Sequence, residues 1–130
     1  MKKKRVLDSF ALLAFLKMES KYEEVKSLLS SEDILIMNDI NIGEIFYILS
    51  RERGNEKAEY FINTILPSLP IKRVTNTFED VIEASRIKAV YSLAFADCFA
   101  IATAKKENAS IVTGDPEFKK VQKVIDIEWI

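Results

Sequence analysis

The chain has 130 residues and is 48% hydrophobic, which is enough for one domain with a core that needs no disulfide or structural metal. Lys and Arg number 19 against 20 Asp and Glu, a formal charge of -1, so the chain is not a globally basic nucleic-acid binder and would hold polyanions only through local patches or bound cations. Histidine is absent, which removes Ser-His-Asp and Cys-His hydrolases, His-ligated zinc sites and histidine-based acid–base ribonucleases.

Any hydrolytic chemistry then falls to carboxylates, with hard, oxygen-preferring cations such as Mg²⁺ or Mn²⁺. The single cysteine, Cys98, rules out an internal disulfide and suits a reducing cytoplasm. With no imidazole to activate it, Cys98 reads as a small apolar residue in a packed helix. The opening Met-Lys-Lys-Lys-Arg resembles the start of a signal peptide, but Asp8 interrupts the apolar run and no small-x-small site follows Leu16. No run approaches transmembrane length, so a soluble cytoplasmic protein without membrane contact is expected.

In chain order, Arg5 to Leu7 reads as a short strand, and Asp8-Ser9 separates it from a helix over Phe10 to Met18. Asp8 therefore sits at a strand's carboxyl end and a helix's start, where an N-cap and a catalytic role are both open. Tyr22 to Leu29 predicts a second helix, introduced by Ser20, with Tyr22, Val25, Leu28 and Leu29 inward. Ile34 to Met37 is an apolar run of buried parallel-strand length. The next helix spans Asn38 to Arg53 and ends at Gly54-Asn55. In it Ile40, Glu44 and Ile48 are four apart, so Glu44 lies on the stripe of Ile45, Ile48 and Leu49. Glu44 is either an inward carboxylate or an edge residue whose stem packs while its head reaches solvent. Asn41, one turn earlier, is placed to orient it.

Glu56 to Leu66 predicts a helix with Ala58, Phe61, Ile62 and Ile65 on one side, and Pro67 and Pro70 bracket its exit. Ile71 to Thr75 is a short strand, and Thr77-Phe78-Glu79-Asp80 opens a well-capped helix running to about Tyr91. The uncharged run from Leu93 to Ala104 carries one carboxylate, Asp97, on a helical face with Leu93, Ala94, Ala100 and Ile101. An ionised carboxylate there loses several kcal/mol of hydration unless a cation or strong donors replace the water. The alternative is a rim or N-cap position after a break near Ser92, with an ordinary salt bridge. Ser110 to Thr113 is a further buried-type strand followed by Gly114-Asp115-Pro116, where Asp115 is again open to N-cap or site duty. Val124 to Ile130 completes the pattern as an edge strand. With no repeat or linker, one domain over 1–130 is expected.

Strands alternating with helices, and apolar on both faces, indicate an open parallel sheet covered on both sides, whose ligands bind beyond the strands' carboxyl ends. Asp8 and Asp115 both lie at such ends, which favours a shared site with Glu44 and Asp97. Four carboxylates converging without cations repel one another, so their purpose is to hold metal. Two divalent ions roughly 3.5–4 Å apart can orient a water, lower its pKa and stabilise the leaving oxygen of a phosphodiester.

Val-Leu-Asp8-Ser9, Asn41-x-x-Glu44, Leu93-x-x-x-Asp97 and Ile-Val-Thr113-Gly-Asp115-x-x-Phe118, in that order and spacing, resemble the PIN domain, in particular the small VapC-type ribonucleases of prokaryotic toxin–antitoxin pairs. The resemblance spans nearly the whole chain. It implies a three-layer α/β/α sandwich with a central parallel sheet, an acidic Mg²⁺ or Mn²⁺ site, and endoribonuclease cleavage of RNA leaving 5′-phosphate and 3′-hydroxyl ends. A homodimer and a small antitoxin partner are implied as well. Asp8, Glu44, Asp97 and Asp115 match the family's acidic quartet as catalytic and metal-holding residues. Thr113 and Ser9 match its hydroxyl positions as orienting groups beside them. Many members carry a further acid soon after the last one; here Pro116 follows directly, and Glu117 is not assigned to metal.

Flanking cations are needed to hold RNA, and Lys2, Lys3, Lys4, Arg51 and Arg53 are the candidates, each also readable as solvated surface. Tyr47 and Phe95 are candidates for base stacking, with core packing the expected role. Two rivals stand beside the nuclease. A haloacid-dehalogenase-like phosphatase needs a second Asp two residues after Asp8, where this chain has Phe10, and a non-catalytic PIN-fold interaction subunit would keep the fold without cutting RNA.

Overall fold

The strands β1 (Lys4–Leu7), β2 (Ile34–Asn38) and β4 (Ser110–Thr113) carry apolar residues toward both faces, and they lie at the middle of the sheet. The computed structural model describes residues 2–130. All pairings are parallel, in the order β3-β2-β1-β4-β5, with β3 (Ile71–Val74) and β5 (Ile127–Trp129) at the edges. Side chains alternate with the two-residue period of a strand. Val6, Ile36 and Ile111 turn to one face, where α6 (Phe78–Val90) and α7 (Phe95–Glu107) cover them. Leu7, Leu35, Met37 and Val112 turn to the other, under α1 (Ser9–Leu16), α2 (Tyr22–Leu29), α3 (Asp39–Arg53) and α4 (Asn55–Tyr60). This is the α/β/α sandwich with a central parallel sheet that the sequence leads one to expect.

Between β1 and β4 the strand order reverses. The chain leaves β1 toward β2 and β3, then returns to the far side of β1 for β4 and β5. Helices leaving neighbouring strands at such a point go to opposite faces, which opens a crevice beyond the strands' carboxyl ends. Asp8 and Asp115 flank that crevice.

At the strands' amino ends, Arg5 bridges the sheet. Its guanidinium pairs with Asp33 ahead of β2 and, at 3.0 Å, with Glu128 of β5. Ser110 also donates to Glu128, so the short C-terminal strand is tied by side chains as well as by its ladder. The helix expected over Glu56 to Leu66 is divided: α4 passes through a π-helical turn, Phe61–Ile65, into α5 (Leu66–Ser68). Pro67 has no N–H to give and its ring crowds the carbonyl four residues back, so the regular ladder cannot run through it. The helix expected to include Leu93 and Ala94 starts later, with Ala94 as its N-cap.

A buried polar knot fixes α3 against α7. Asn38 is fully buried, and its side-chain oxygen caps α3 by accepting from the Asn41 N–H at 2.8 Å. Its amide donates to Asn41 Oδ1, to Thr103 Oγ1 at 2.8 Å and to the Phe99 carbonyl. Asn41 in turn donates to the Ala96 carbonyl at 3.0 Å, one residue before Asp97. Removing a buried hub strands every partner it served. Asn38→Ala is expected to lower stability by about 2–4 kcal/mol, measured by urea unfolding, with the α3 cap and the helix–helix bonds lost together.

Candidate functional site

Each candidate acid takes its position from an element boundary. Asp8 follows β1 and is the N-cap of α1, its Oδ1 accepting from the Ala11 N–H at 2.8 Å. Asp115 follows β4 and caps a 3-10 turn, Pro116–Val121, by accepting from the Glu117 N–H at 3.0 Å. Asp97 lies in the first turn of α7, and Glu44 lies one turn into α3. For Asp8 and Asp115 the capping role and the site role coincide, because a helix that starts where a strand ends aims its free N–H groups at the crevice.

Two hydroxyls link these acids. Thr113 Oγ1 donates to Asp8 Oδ2 at 2.5 Å and accepts from the Asp115 N–H at 3.0 Å, so one fully buried threonine joins the ends of β1 and β4. Ser9 Oγ donates to Glu44 Oε1 at 2.5 Å, tying α1 to α3. Asn41 does not orient Glu44 as expected; its side chain is spent on Asn38 and the Ala96 carbonyl, and Ser9 holds the glutamate instead. Asn41 bears on the site through the start of α7.

The electrostatics are those of acids left without counter-charge. Asp8 is 2% exposed, and burial, with the charges of Asp97 and Asp115 added, raises its carboxyl from the ordinary 3.8 to about 7, against the hydrogen bonds from Thr113 and Ala11. Asp97 is raised to about 6, first by burial and then by Asp115, Glu44 and Glu117. Among the described residues no Lys or Arg forms an ion pair with Asp8, Glu44, Asp97 or Asp115. The ordinary salt bridge considered for Asp97 is therefore not made. Its position at the rim of a helix start is, since Leu93 and Ala94 precede the helix and Asp97 is half-buried. Among the described residues, no three Asp, Glu or Cys side chains stand together as a ready-made metal cage.

Glu117 was passed over in the sequence because proline separates it from Asp115. The 3-10 turn folds it back, so that its charge reaches Asp97. The expected cations lie elsewhere. Lys2, Lys3 and Lys4 belong to the amino end of β1, where Lys3 pairs with Glu128 at 3.1 Å. Arg51 and Arg53 close α3, about 18 Å and about 21 Å along the helix from its start at the crevice. Two other cations reach the segment that leads into α7. Lys88 donates to the Leu93 carbonyl at 2.6 Å and Lys120 to the Ser92 carbonyl at 2.7 Å, both in the loop before Asp97. Tyr47 and Phe95 are not core residues, being 50% and 44% exposed. Cys98 is buried, and burial pushes its thiol up, as befits an inert packing residue.

A family model described as PIN domain matches residues 5–124. No curated protein sequence gives a significant match. Among solved structures, the chain is similar to Mycobacterium tuberculosis VapC20, described as a sarcin-ricin loop cleaving toxin, with a TM-score of 0.77 at 16% identity over 93% of this chain and 95% of that one. It is similar to Rickettsia felis VapBC2 bound to a DNA fragment from its promoter, with a TM-score of 0.76 at 15% identity over 98% of each chain. It is also similar to DNA-bound VapBC from Salmonella typhimurium, with a TM-score of 0.74 at 17% identity over 99% of this chain and 98% of that one. At such identities the likeness is one of fold. Among the described residues no single helix is long and apolar enough to cross a membrane.

The raised Asp8 fixes the sign of a pH effect on stability. Between its ordinary 3.8 and about 7 the folded chain holds a proton that the unfolded chain has lost, so stability falls as pH rises through that window. Without added metal, Asp8→Asn keeps the cap and removes the buried charge. It is expected to be more stable than the wild type at pH 8, by on the order of a few kcal/mol, with the gain vanishing toward pH 4 in denaturant titrations.

Proposed function

The chain belongs to the PIN domain family, and on that premise we propose that residues 1–130 form one domain acting as a Mg²⁺- or Mn²⁺-dependent endoribonuclease, the toxin of a toxin–antitoxin pair. The observation that carries this reading is Asp8, a carboxylate 2% exposed, raised to about 7 and lacking a cation partner among the described residues. Such a group costs stability in the free chain and is explained by a divalent ion that supplies the missing positive charge. The donors are carboxylate and hydroxyl oxygens, with no imidazole or thiolate among them, which suits a hard ion.

Asp8, Glu44, Asp97 and Asp115 would hold the ion, which when bound supplies an activated water and stabilises the leaving oxygen of the phosphodiester. The chain's own residues arrange the site around it. Thr113 sets Asp8 relative to the Asp115 backbone, and Ser9 fixes one oxygen of Glu44 and leaves the other free. Both restrict the carboxylates to one orientation before any ion arrives, which is what neighbouring hydrogen-bond partners do for metal ligands. Hydrolysis leaves 5′-phosphate and 3′-hydroxyl ends. An RNA substrate implies a cytoplasmic site of action, the VapBC and toxin–antitoxin neighbours support a small antitoxin as partner, and a homodimer is the assembly that the family resemblance implies. The non-catalytic alternative draws on one observation, that no three of the acids are preassembled among the described residues.

Purified wild type with Mn²⁺ is expected to cleave cellular RNA and to melt at higher temperature than in EDTA at pH 8. Asp97→Asn is expected to lose cleavage by at least about a hundredfold while remaining folded, and Thr113→Val by about 10- to 100-fold. Because Asp8 and Asp97 must release protons to bind an ion, the Mn²⁺-induced melting shift is expected to grow as pH rises through 6 to 7. A wild type that shows neither the melting shift nor cleavage supports the interaction subunit instead.

A further inference from the structure

Between α6 and the start of α7, a groove of about 410 Å³ is lined by Ser85, Lys88, Ala89 and Phe95. Phe95 is the first residue of α7; it shares the helix's first turn with Asp97 but leaves it on a different side, so the two flank the helix start. Its ring packs edge-on against Phe99, with centroids 5.0 Å apart, and is left 44% exposed. Lys88, across the groove on α6, bonds the Leu93 carbonyl and forms no ion pair among the described residues, so two of its three donors remain for a ligand. Lys120 bonds the neighbouring Ser92 carbonyl and pairs with Glu117 at 2.6 Å.

Resting on the ribonuclease reading, we propose that this groove is a nucleotide subsite: Phe95 stacks a base of the RNA strand beside the scissile phosphate, and Lys88 holds a neighbouring phosphate. The chemistry matches the occupant on both counts. A base offers a flat π-face to an aromatic ring whatever its identity, and the phosphate offers the negative charge that an ammonium lacking a carboxylate partner attracts. The acids alone repel RNA, so the strand needs a cation and a stacking surface outside them. The Ser92–Phe95 lip supplies both within two residues of Asp97. Lys2, Lys3 and Lys4 lie toward the opposite end of the sheet, and Arg51 and Arg53 belong to α3, which covers the sheet face opposite α6.

The test uses full-length protein and two readouts. The first is steady-state, Mn²⁺-dependent cleavage of a fluorogenic single-stranded RNA that the wild type cuts. The second is quenching of 2-aminopurine in an unstructured RNA, followed in EDTA so that nothing is cleaved. Phe95→Ala is expected to raise KM about tenfold with kcat little changed and to abolish the quenching, while Phe95→Trp keeps both near wild type. Lys88→Gln is expected to weaken binding and to lower the slope of log affinity against log salt by about one, an effect that a purely structural role would not produce. Melting curves establish that each variant is folded, and Phe95→Leu replaces Phe95→Ala if the alanine variant is not.

Unchanged KM and quenching in the Phe95 variants of an enzyme that cleaves overturn the subsite and leave the nuclease standing. A change in oligomeric state alone also overturns it and assigns Phe95 to a protein interface. Quenching that depends on Phe95 in a wild type that cleaves nothing supports the subsite while removing the nuclease. Neither quenching nor cleavage in the wild type removes both.

Discussion

A carboxylate enclosed at the end of a central strand, with no positive side chain to meet it, is the constraint around which the rest of this molecule is arranged. Asp8 follows directly on β1, the middle strand of the sheet, so its backbone cannot move without disturbing both layers. What stabilises its charge is limited to two hydrogen bonds, from Ala11 and Thr113. These lower its pKa, yet burial and the nearby aspartates outweigh them, and the carboxyl stays near 7. Two donors offset only part of the hydration that burial removes. The fold therefore keeps a destabilised group in place, as proteins commonly do where a site has a task other than stability.

The geometry that creates this tension also moderates it. In a parallel sheet every helix that follows a strand begins near the strands' carboxyl ends, so the N–H groups of several helix starts collect on one side of the molecule. Asp8 and Asp115 belong to such starts and cap them, while Asp97 lies in the first turn of α7, which follows α6 and leads into β4. The acids gather where backbone dipoles favour negative charge, and a capping role and a ligand role make compatible demands on them. Each cap uses one oxygen and leaves the other available. For Asp8 the second oxygen is engaged by Thr113, which couples it to the backbone of Asp115 on the neighbouring strand.

Charge is distributed across the molecule in a matching way. The amino ends of the strands carry a compensated network in which Arg5 and Lys3 meet Asp33 and Glu128 and secure the C-terminal strand. At the carboxyl ends Asp8, Asp97 and Asp115 form no ion pair among the described residues. With 19 basic and 20 acidic residues nearly cancelling overall, the polarity is a matter of placement, and a net charge of -1 conceals it.

Strand and helix order, the parallel sheet and the two buried faces could be read from the sequence because they follow from local periodicity and from connections long enough only for crossovers. The acids Asp8 and Asp115 were legible for the same reason, since their position after an apolar strand is a local fact. Tertiary packing alone decided the rest. The break before Ala94 moved Asp97 from a mid-helix face to a helix start, and the knot of Asn38, Asn41 and Thr103 redirected Asn41 from Glu44 to the Ala96 carbonyl. A 3-10 turn brought Glu117 within reach of Asp97, and strand direction carried the N-terminal lysines to the far end while Lys88 and Lys120 arrived at the near one. Periodicity reports which side of its own element a residue occupies. Which end of the sheet that element presents, and what lies across from it, depends on contacts between segments distant in the chain.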